Sequence, residues 1–312
     1  MTMSNTAISI QNVKKSFGDL KAVNGISFEI NKGEFVAMLG PNGASKTTLM
    51  EMVEGIQQQD SGDIIINGKT WKDHEDELHA LLGISLQETH FFDKLKVKET
   101  VQLFASFYSI GDERCNEILH LVNLTEKASA YVTNLSGGQR QRLALGIALI
   151  NNPEIILLDE PTAGLDPTAR REIWDILFKL KKEKNITMIL TTHYMEEADY
   201  LCDRIIILDK GSVLAQGTLD ELLSKNGSSE IIDFSVEGDN SNIQLPDGNG
   251  KKQLNYDAKN DKWQLLVDDI IAYLPFFLEE MKKQNKKIKT LECRKMTLDD
   301  LFIAMTGRRL NE

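Results

Sequence analysis

An apolar strand that runs straight into a glycine-bearing loop, and from there into a helix, fixes most of what this chain can fold into. Glu34-Phe35-Val36-Ala37-Met38-Leu39 leads into Gly40-Pro41-Asn42-Gly43-Ala44-Ser45-Lys46-Thr47-Thr48. Thr47 to Gly55 then reads as a helix with Leu49, Met50 and Val53 on one face. A loop of this kind aims successive backbone N–H groups at a phosphate, and the helix N-terminus adds positive potential. Lys46 would reach the β- and γ-phosphates, and the Thr47 hydroxyl would ligate Mg²⁺. The strict pattern has glycine before the lysine, and here Ser45 takes that place. Glycine serves where backbone approaches a ligand closely or takes a positive φ. Serine adds a Cβ and a hydroxyl there, so an ordinary Gly-Ser-Lys loop competes as a reading of this stretch alone.

The rest of the chain supplies the sheet that such a loop requires. Residues 8–36 alternate like paired strands, with Ile8-Ser9-Ile10 followed by Gly25 to Ile30. Asp63 to Ile66 and Leu82 to Leu86 read as further strands. From Lys98 to Ile150 the helical period dominates, through Val101, Phe104, Ile118, Val122 and Leu143. Glu154 to Leu158 and Thr187 to Thr191 are short apolar runs of the kind expected of buried parallel strands. The helix-patterned Ala169 to Lys182 lies between them, which is βαβ order and a parallel sheet. After Leu223 the composition shifts toward Gly, Ser, Asn and Asp. Strands over 231–236, 263–267 and 288–293, with helices over 269–284 and 297–306, predict a small α+β domain. The Lys282 to Lys287 run reads as a solvated helix end, because cations suit a helix C-terminus; anionic lipid is the competing partner.

Two later segments carry further chemistry. Leu135-Ser136-Gly137-Gly138-Gln139 opens a helix that Ser136 is suited to cap. Ile155-Ile156-Leu157-Leu158-Asp159-Glu160 ends a buried strand in two acids, at the carboxyl edge where α/β sheets place their ligands. Paired acids at a strand end are also common in solvated turns.

The phosphate loop, the Leu-Ser-Gly-Gly-Gln segment and the acid-ended strand, in this order, resemble the ATP-binding subunit of an ABC transporter over roughly residues 7–223. The resemblance implies a P-loop NTPase of ABC type: a RecA-like α/β core, an antiparallel β subdomain and a helical subdomain, followed by the small α+β domain. It implies an ATPase domain over 7–225 with its helical insertion over about 88–150, and a 226–312 domain whose regulatory or dimer-contacting role stays open. ATP would be bound by Phe17, stacked on adenine, and by Gly40, Pro41, Asn42, Gly43, Ala44, Ser45, Lys46, Thr47 and Thr48. Thr47, Gln87 and Asp159 would hold Mg²⁺. Glu160 would be the general base, with Lys46 and His193 on the γ-phosphate. Leu135, Ser136, Gly137, Gly138 and Gln139 would bind the γ-phosphate of ATP held on the other subunit, and Asp166 would lie in the loop coupling the two sites. The implied partners are a second ATPase subunit and a separately encoded transmembrane permease, which would hold the protein at the cytoplasmic face of the membrane. His193-Tyr194-Met195-Glu196-Glu197-Ala198, and the ending Thr297 to Phe302 with Thr306-Gly307-Arg308, resemble the ATPase subunits of ABC-2-type exporters. Because of Ser45, a catalytically impaired regulatory or structural subunit is the alternative.

Composition bounds this reading. A net charge of −11 argues against nucleic acid as the main ligand. Cys115, Cys202 and Cys293 are scattered singly, as reduced thiols rather than a disulfide framework. Met1 to Ile10 is polar with no basic stretch leading into an apolar one, so no signal peptide is expected. Apolar runs fall far short of the roughly 20 residues that cross a bilayer. Phe91, Phe92 and Leu95 suit either a groove for a membrane subunit's helix or a core. His74, His79, His90 and His120 are given no role.

Overall fold

The computed structural model describes residues 5–87, 89–183, 186–225, 230–237, 243–245, 253–257 and 261–306. The N-terminal alternation becomes a long hairpin of β1 (Thr6–Phe17) and β2 (Leu20–Asn31), followed by β3 (Phe35–Leu39), α1 (Lys46–Val53) and β4 (Ser61–Ile66). β1 pairs antiparallel with both β2 and β4 in a three-stranded sheet. On β2, Ile26, Phe28 and Ile30 are buried and alternate with exposed residues, the signature of a sheet with one face on the core.

Next come α2 (Trp71–Leu81) and β5 (Leu82–Ser85), then the helical segment of α3 (Val97–Ser106), α4 (Asp112–Leu121) and α5 (Gly137–Ala148). β6 (Ile155–Asp159), α6 (Pro167–Glu183), β7 (Thr187–Thr192), α7 (Met195–Leu201), β8 (Arg204–Asp209) and β9 (Ser212–Gly217) complete the α/β part. The larger sheet has strand order β5-β6-β7-β3-β8-β9, parallel from β5 through β8. Every residue of β3, β6 and β7 is buried, as expected of parallel strands covered on both faces. Register brings the site together: Leu39 pairs with Thr192, and Asp159 with Thr191. Gly40, Glu160 and His193 therefore leave three adjacent strand ends at the carboxyl edge.

One compact unit ends at Gln216 and the second begins at Gly217. This division lies one helix ahead of the composition shift near 225, because α8 (Leu219–Lys225) packs with the last helix of the second unit. The second unit contains β10 (Glu230–Val236), β11 (Gln253–Asp257), β12 (Lys262–Val267), α9 (Ile270–Lys283), β13 (Ile288–Lys295) and α10 (Leu298–Thr306). Its sheet is antiparallel in the order β11-β12-β10-β13. Ile232, Phe234, Leu265, Tyr273, Phe277 and Met281 join α9 to one face. Arg294 on β13 ties Asp233 of β10 (2.7 Å) to Asp300 of α10 (2.6 Å). Thr297 caps α10, exchanging bonds with Asp300. Gly307 and Arg308 of the predicted tail motif lie outside the described residues. Among the described residues no helix is long and apolar enough to cross a membrane.

Candidate functional site

The loop from Gly40 to Ser45 closes on itself, with the Ala44 N–H donating to the Pro41 carbonyl at 3.0 Å. Two of its residues are left-handed, Gly43 at φ 78 and Ser45 at φ 85. Gly43 takes that conformation at no steric cost, whereas a serine there carries about 1–3 kcal/mol of strain. The Ser45 hydroxyl donates to the Ala22 carbonyl on β2, which ties the loop to the β1–β2 hairpin. Lys46 opens α1 and is buried; its Nζ donates to the carbonyls of Gly40 (2.7 Å) and Pro41 (3.2 Å). Burial lowers the Lys46 pKa, against the pull of Glu160 and Asp159.

Glu160 stands between two cationic or potentially cationic groups. Its Oε1 is 3.8 Å from Lys46 Nζ and its Oε2 is 3.2 Å from His193 Nδ1. Its backbone is left-handed, at φ 47, and its N–H donates to the Thr191 hydroxyl at 2.9 Å. Strained non-glycine backbone of this kind concentrates at functional sites. Asp159 is buried and accepts from the Thr191 hydroxyl.

The phosphate-loop pocket is lined by Asn42, Gly43, Ser45, Lys46, Thr47 and Thr48, with Phe17, Gln87 and Glu160 also on its wall. Phe17 ends β1 and is 47% exposed, so it is no core residue. Lys21, near the start of β2, and Lys210, in the turn after β8, also line this pocket, with no local motif to mark them. The chemistry fits a nucleotide triphosphate: a buried lysine, a helix N-terminus and a loop of N–H groups suit phosphates. The Thr47 hydroxyl, the Asp159 carboxylate and the Gln87 amide are hard oxygen donors of the kind Mg²⁺ takes alongside phosphate oxygens.

None of the residues 135–139 lines that pocket. Gly137 instead borders a second pocket with Arg140, Gln141, Phe91 and Gly164, and Gln87 reaches both. Ser136 caps α5, accepting from the Gln139 N–H at 3.3 Å, while Gln139 Oε1 accepts from the Ser136 N–H at 3.0 Å. A Cβ on Gly138 would meet the Cβ of Ala169 at 2.7 Å, so close packing on α6 requires glycine there. Asp166 caps α6 through the N–H groups of Thr168 (2.9 Å) and Ala169 (3.0 Å). Phe92 is exposed, and Phe91 and Leu95 are half-buried; none of the three is core.

Sequence reasoning passed over a buried cluster behind the acids. Glu197 on α7 is fully buried, and its Oε1 accepts from Thr162 Oγ1 and Trp174 Nε1, both at 2.9 Å. Thr192 also bonds this carboxyl, and burial pushes its pKa up. Arg170 lies 3.8 Å over the Tyr194 ring, which packs on His193. Glu54, the C-cap of α1, is buried too, and burial with Asp159 nearby raises its pKa to about 7.

Comparison with known proteins agrees with this geometry. Residues 23–163 match the model of the family described as ABC transporter. The chain is 34% identical to the linearmycin resistance ATP-binding protein LnrL of Bacillus subtilis, over 98% of this chain and 100% of that protein. It is 32% identical to the daunorubicin resistance ATP-binding protein DrrA3 of Streptomyces coeruleorubidus, over 99% of each. A Nod factor export ATP-binding protein I from a Rhizobium species is 33% identical, over 99% of this chain and 100% of that one. Among solved structures, a dimeric bacterial ABC transporter cassette superposes with a TM-score of 0.62 at 31% identity, covering 68% of this chain and 98% of its own. Another, cbiO1 of Clostridium perfringens, part of an ABC transporter complex, gives a TM-score of 0.66 at 28% identity, covering 72% and 92%.

Proposed function

The chain belongs to the ABC transporter ATP-binding family, and from that premise we propose that it hydrolyses Mg-ATP to drive export through a separately encoded transmembrane subunit. The observation that carries this is Glu160, held between Lys46 and His193 beside the phosphate loop. The phosphates bind on the loop N–H groups and Lys46, while Phe17 receives the adenine. Thr47, Asp159 and Gln87 would hold Mg²⁺, which when bound shields phosphate charge. Glu160 accepts a proton from water as that water's oxygen attacks the γ-phosphorus, and the bond to the ADP oxygen breaks. His193 fixes the orientation of the Glu160 carboxylate and stands ready to contact the γ-phosphate.

Two copies work together in this proposal. Ser136 to Gln139 lie apart from the phosphate-loop pocket of their own chain, which supports their use on ATP held by a second copy. The dimeric cassette among the similar structures supports the same arrangement. The permease would hold the pair at the cytoplasmic face of the membrane.

Replacing Glu160 by Gln tests the catalytic assignment. Loss of a general base lowers turnover by about 10²–10⁴-fold, while ATP binding should persist and a closed dimer should accumulate. Hydrolysis by Glu160→Gln at the parent rate would show the assignment to be wrong. Ser45 at φ 85 favours a second reading, in which the fold is kept and turnover is lost. A parent protein that neither binds millimolar ATP nor turns it over would favour that reading.

A further inference from the structure

The histidine that follows β7 is held by more than Glu160. His193 Nδ1 lies 3.2 Å from Glu160 Oε2. One such contact fixes a point on the imidazole and leaves the plane of the ring free to tilt about it. The ring of Tyr194 supplies a second constraint: its centroid lies 4.1 Å from that of His193, with the two planes inclined at 41°. The backbone of Tyr194 is fixed in turn. Its N–H donates to Thr192 Oγ1 at 2.9 Å, and its carbonyl accepts from the N–H groups of Glu197 (3.2 Å) and Ala198 (3.4 Å) in the first turn of α7.

Arg170 completes the stack from another element. Its guanidinium carbon is 3.8 Å from the Tyr194 ring centroid, too close for an approach along the ring edge, so the cation lies over the ring face. Arg170 Nε is buried with no hydrogen-bond partner among the described residues. A buried donor left unpaired costs free energy. The ring face, together with the charge of the neighbouring Glu197 carboxyl, is what offsets that cost. Arg170 also lies in the first turn of α6, where its N–H donates at 3.0 Å to the carbonyl of Asp166, the residue that caps this helix. A continuous line of contacts therefore runs from Asp166 through Arg170, Tyr194 and His193 to Glu160.

We propose, on the reading of Glu160 and His193 given above, that Arg170 and Tyr194 are positioning residues for hydrolysis. Their stack sets the plane of the His193 ring, so that with Nδ1 turned to Glu160 the opposite nitrogen, Nε2, is left for the γ-phosphate. Arginine suits this place better than lysine, because a planar guanidinium stacks on an aromatic face and a compact ammonium does not. Neither residue touches the nucleotide in this arrangement; both act through the imidazole.

The test uses the full-length chain. Arg170→Ala and Tyr194→Leu should each lower kcat about five- to thirtyfold, the rate equivalent of one cation–π contact, with the Kd for ATP kept within about twofold. Arg170→Lys and Tyr194→Phe, which keep a cation and a ring, should lose far less. In a His193→Ala background, measured by single turnover, Arg170→Ala should cause no further loss, because its effect passes through the missing imidazole. A second measurement needs no turnover. With isotope-labelled histidines, nuclear relaxation should show a more mobile His193 ring in Arg170→Ala than in the parent, while the backbone amides of α7 keep their order. Parental turnover in Arg170→Ala beside a slow His193→Ala overturns this proposal alone; parental turnover in His193→Ala overturns the reading of His193 with it. Equal losses for Arg170→Ala with and without His193, or α7 amides that loosen together with the ring, would assign the stack to packing of α6 on α7 and overturn the proposal too. So would a His193 ring of parental mobility in Arg170→Ala, whether or not the parent hydrolyses ATP.

Discussion

At the scale of single residues, Ser45 sets two effects against each other. Its left-handed backbone carries about 1–3 kcal/mol of strain. Its hydroxyl bond to the Ala22 carbonyl returns about 0.5–1.5 kcal/mol. Ser45→Gly relieves the first and loses the second; Ser45→Ala keeps the strain and loses the bond. ATP affinity should therefore fall in the order Gly, Ser, Ala, with steps of about two- to tenfold, since 1.4 kcal/mol is a factor of ten. Titration with a fluorescent ATP analogue checks the order, and an alanine variant that binds as tightly as the parent removes any role for the tether. Glu54 makes a separate prediction about pH. Its folded pKa of about 7 lies above the ordinary carboxylate value, so the folded protein holds the proton more tightly than the unfolded chain. The stability this contributes is complete below the unfolded pKa and disappears as pH rises through about 7. Glu54→Gln should flatten that decline and raise stability above pH 7 by on the order of 2–3 kcal/mol. Denaturant melts between pH 5 and 8 would detect it, and parallel profiles for parent and variant would rule it out.

At the scale of elements, Glu197 ties together α6, α7, the loop that follows β6 and the end of β7. Thr162 sits between Glu160 and Asp166, and Thr192 immediately precedes His193. Glu197→Ala leaves two buried donors without an acceptor, each costing about 1–3 kcal/mol. We expect a stability loss of about 2–5 kcal/mol and a turnover that falls more than ATP affinity, whereas Glu197→Gln, which keeps an acceptor oxygen, should lose less of both. Thermal melts alongside kcat and nucleotide Kd separate these effects; an alanine variant with parental stability and turnover would refute the role. This cluster also marks where legibility in the sequence stops. Lys46, Asp159, Glu160 and His193 could be proposed from the sequence because they fall in or beside segments that resemble those of ABC ATPases. Glu197 meets Trp174 and Thr162 from 23 and 35 residues away, and no local pattern announces a buried acid. The parallel sheet, the helical segment and both helices of the C-terminal reading, α9 and α10, were legible from period. β8 and β9 were not, because short apolar runs fit strand or helix equally. Helix α2 was hidden by a charged surface and a kink at His74, φ −140. The compact units divide after Gln216, ahead of the 225/226 division read from composition, because α8 belongs wholly to the second unit yet precedes the composition shift.

At the scale of the whole molecule, the separation of two motifs within one chain leads to the last prediction. Lys46 lines the phosphate-loop pocket, and Gly137, next to Ser136, borders another. If each ATP lies between Lys46 of one copy and Ser136 of the other, a two-fold dimer has two identical shared sites. Lys46→Ala then damages one half of every site and Ser136→Arg the other half, so either variant alone is inactive. A mixed dimer gathers both defects into a single site and leaves its second site whole. Random pairing of equal amounts makes about half the dimers mixed, and with one intact site in each, about a quarter of the parental ATPase rate should return. The rate should rise and fall with the mixing ratio and peak at equal amounts. Sites contained within single chains predict no recovery at any ratio, and observing none in a mixture shown to contain mixed dimers would reject the shared-site arrangement.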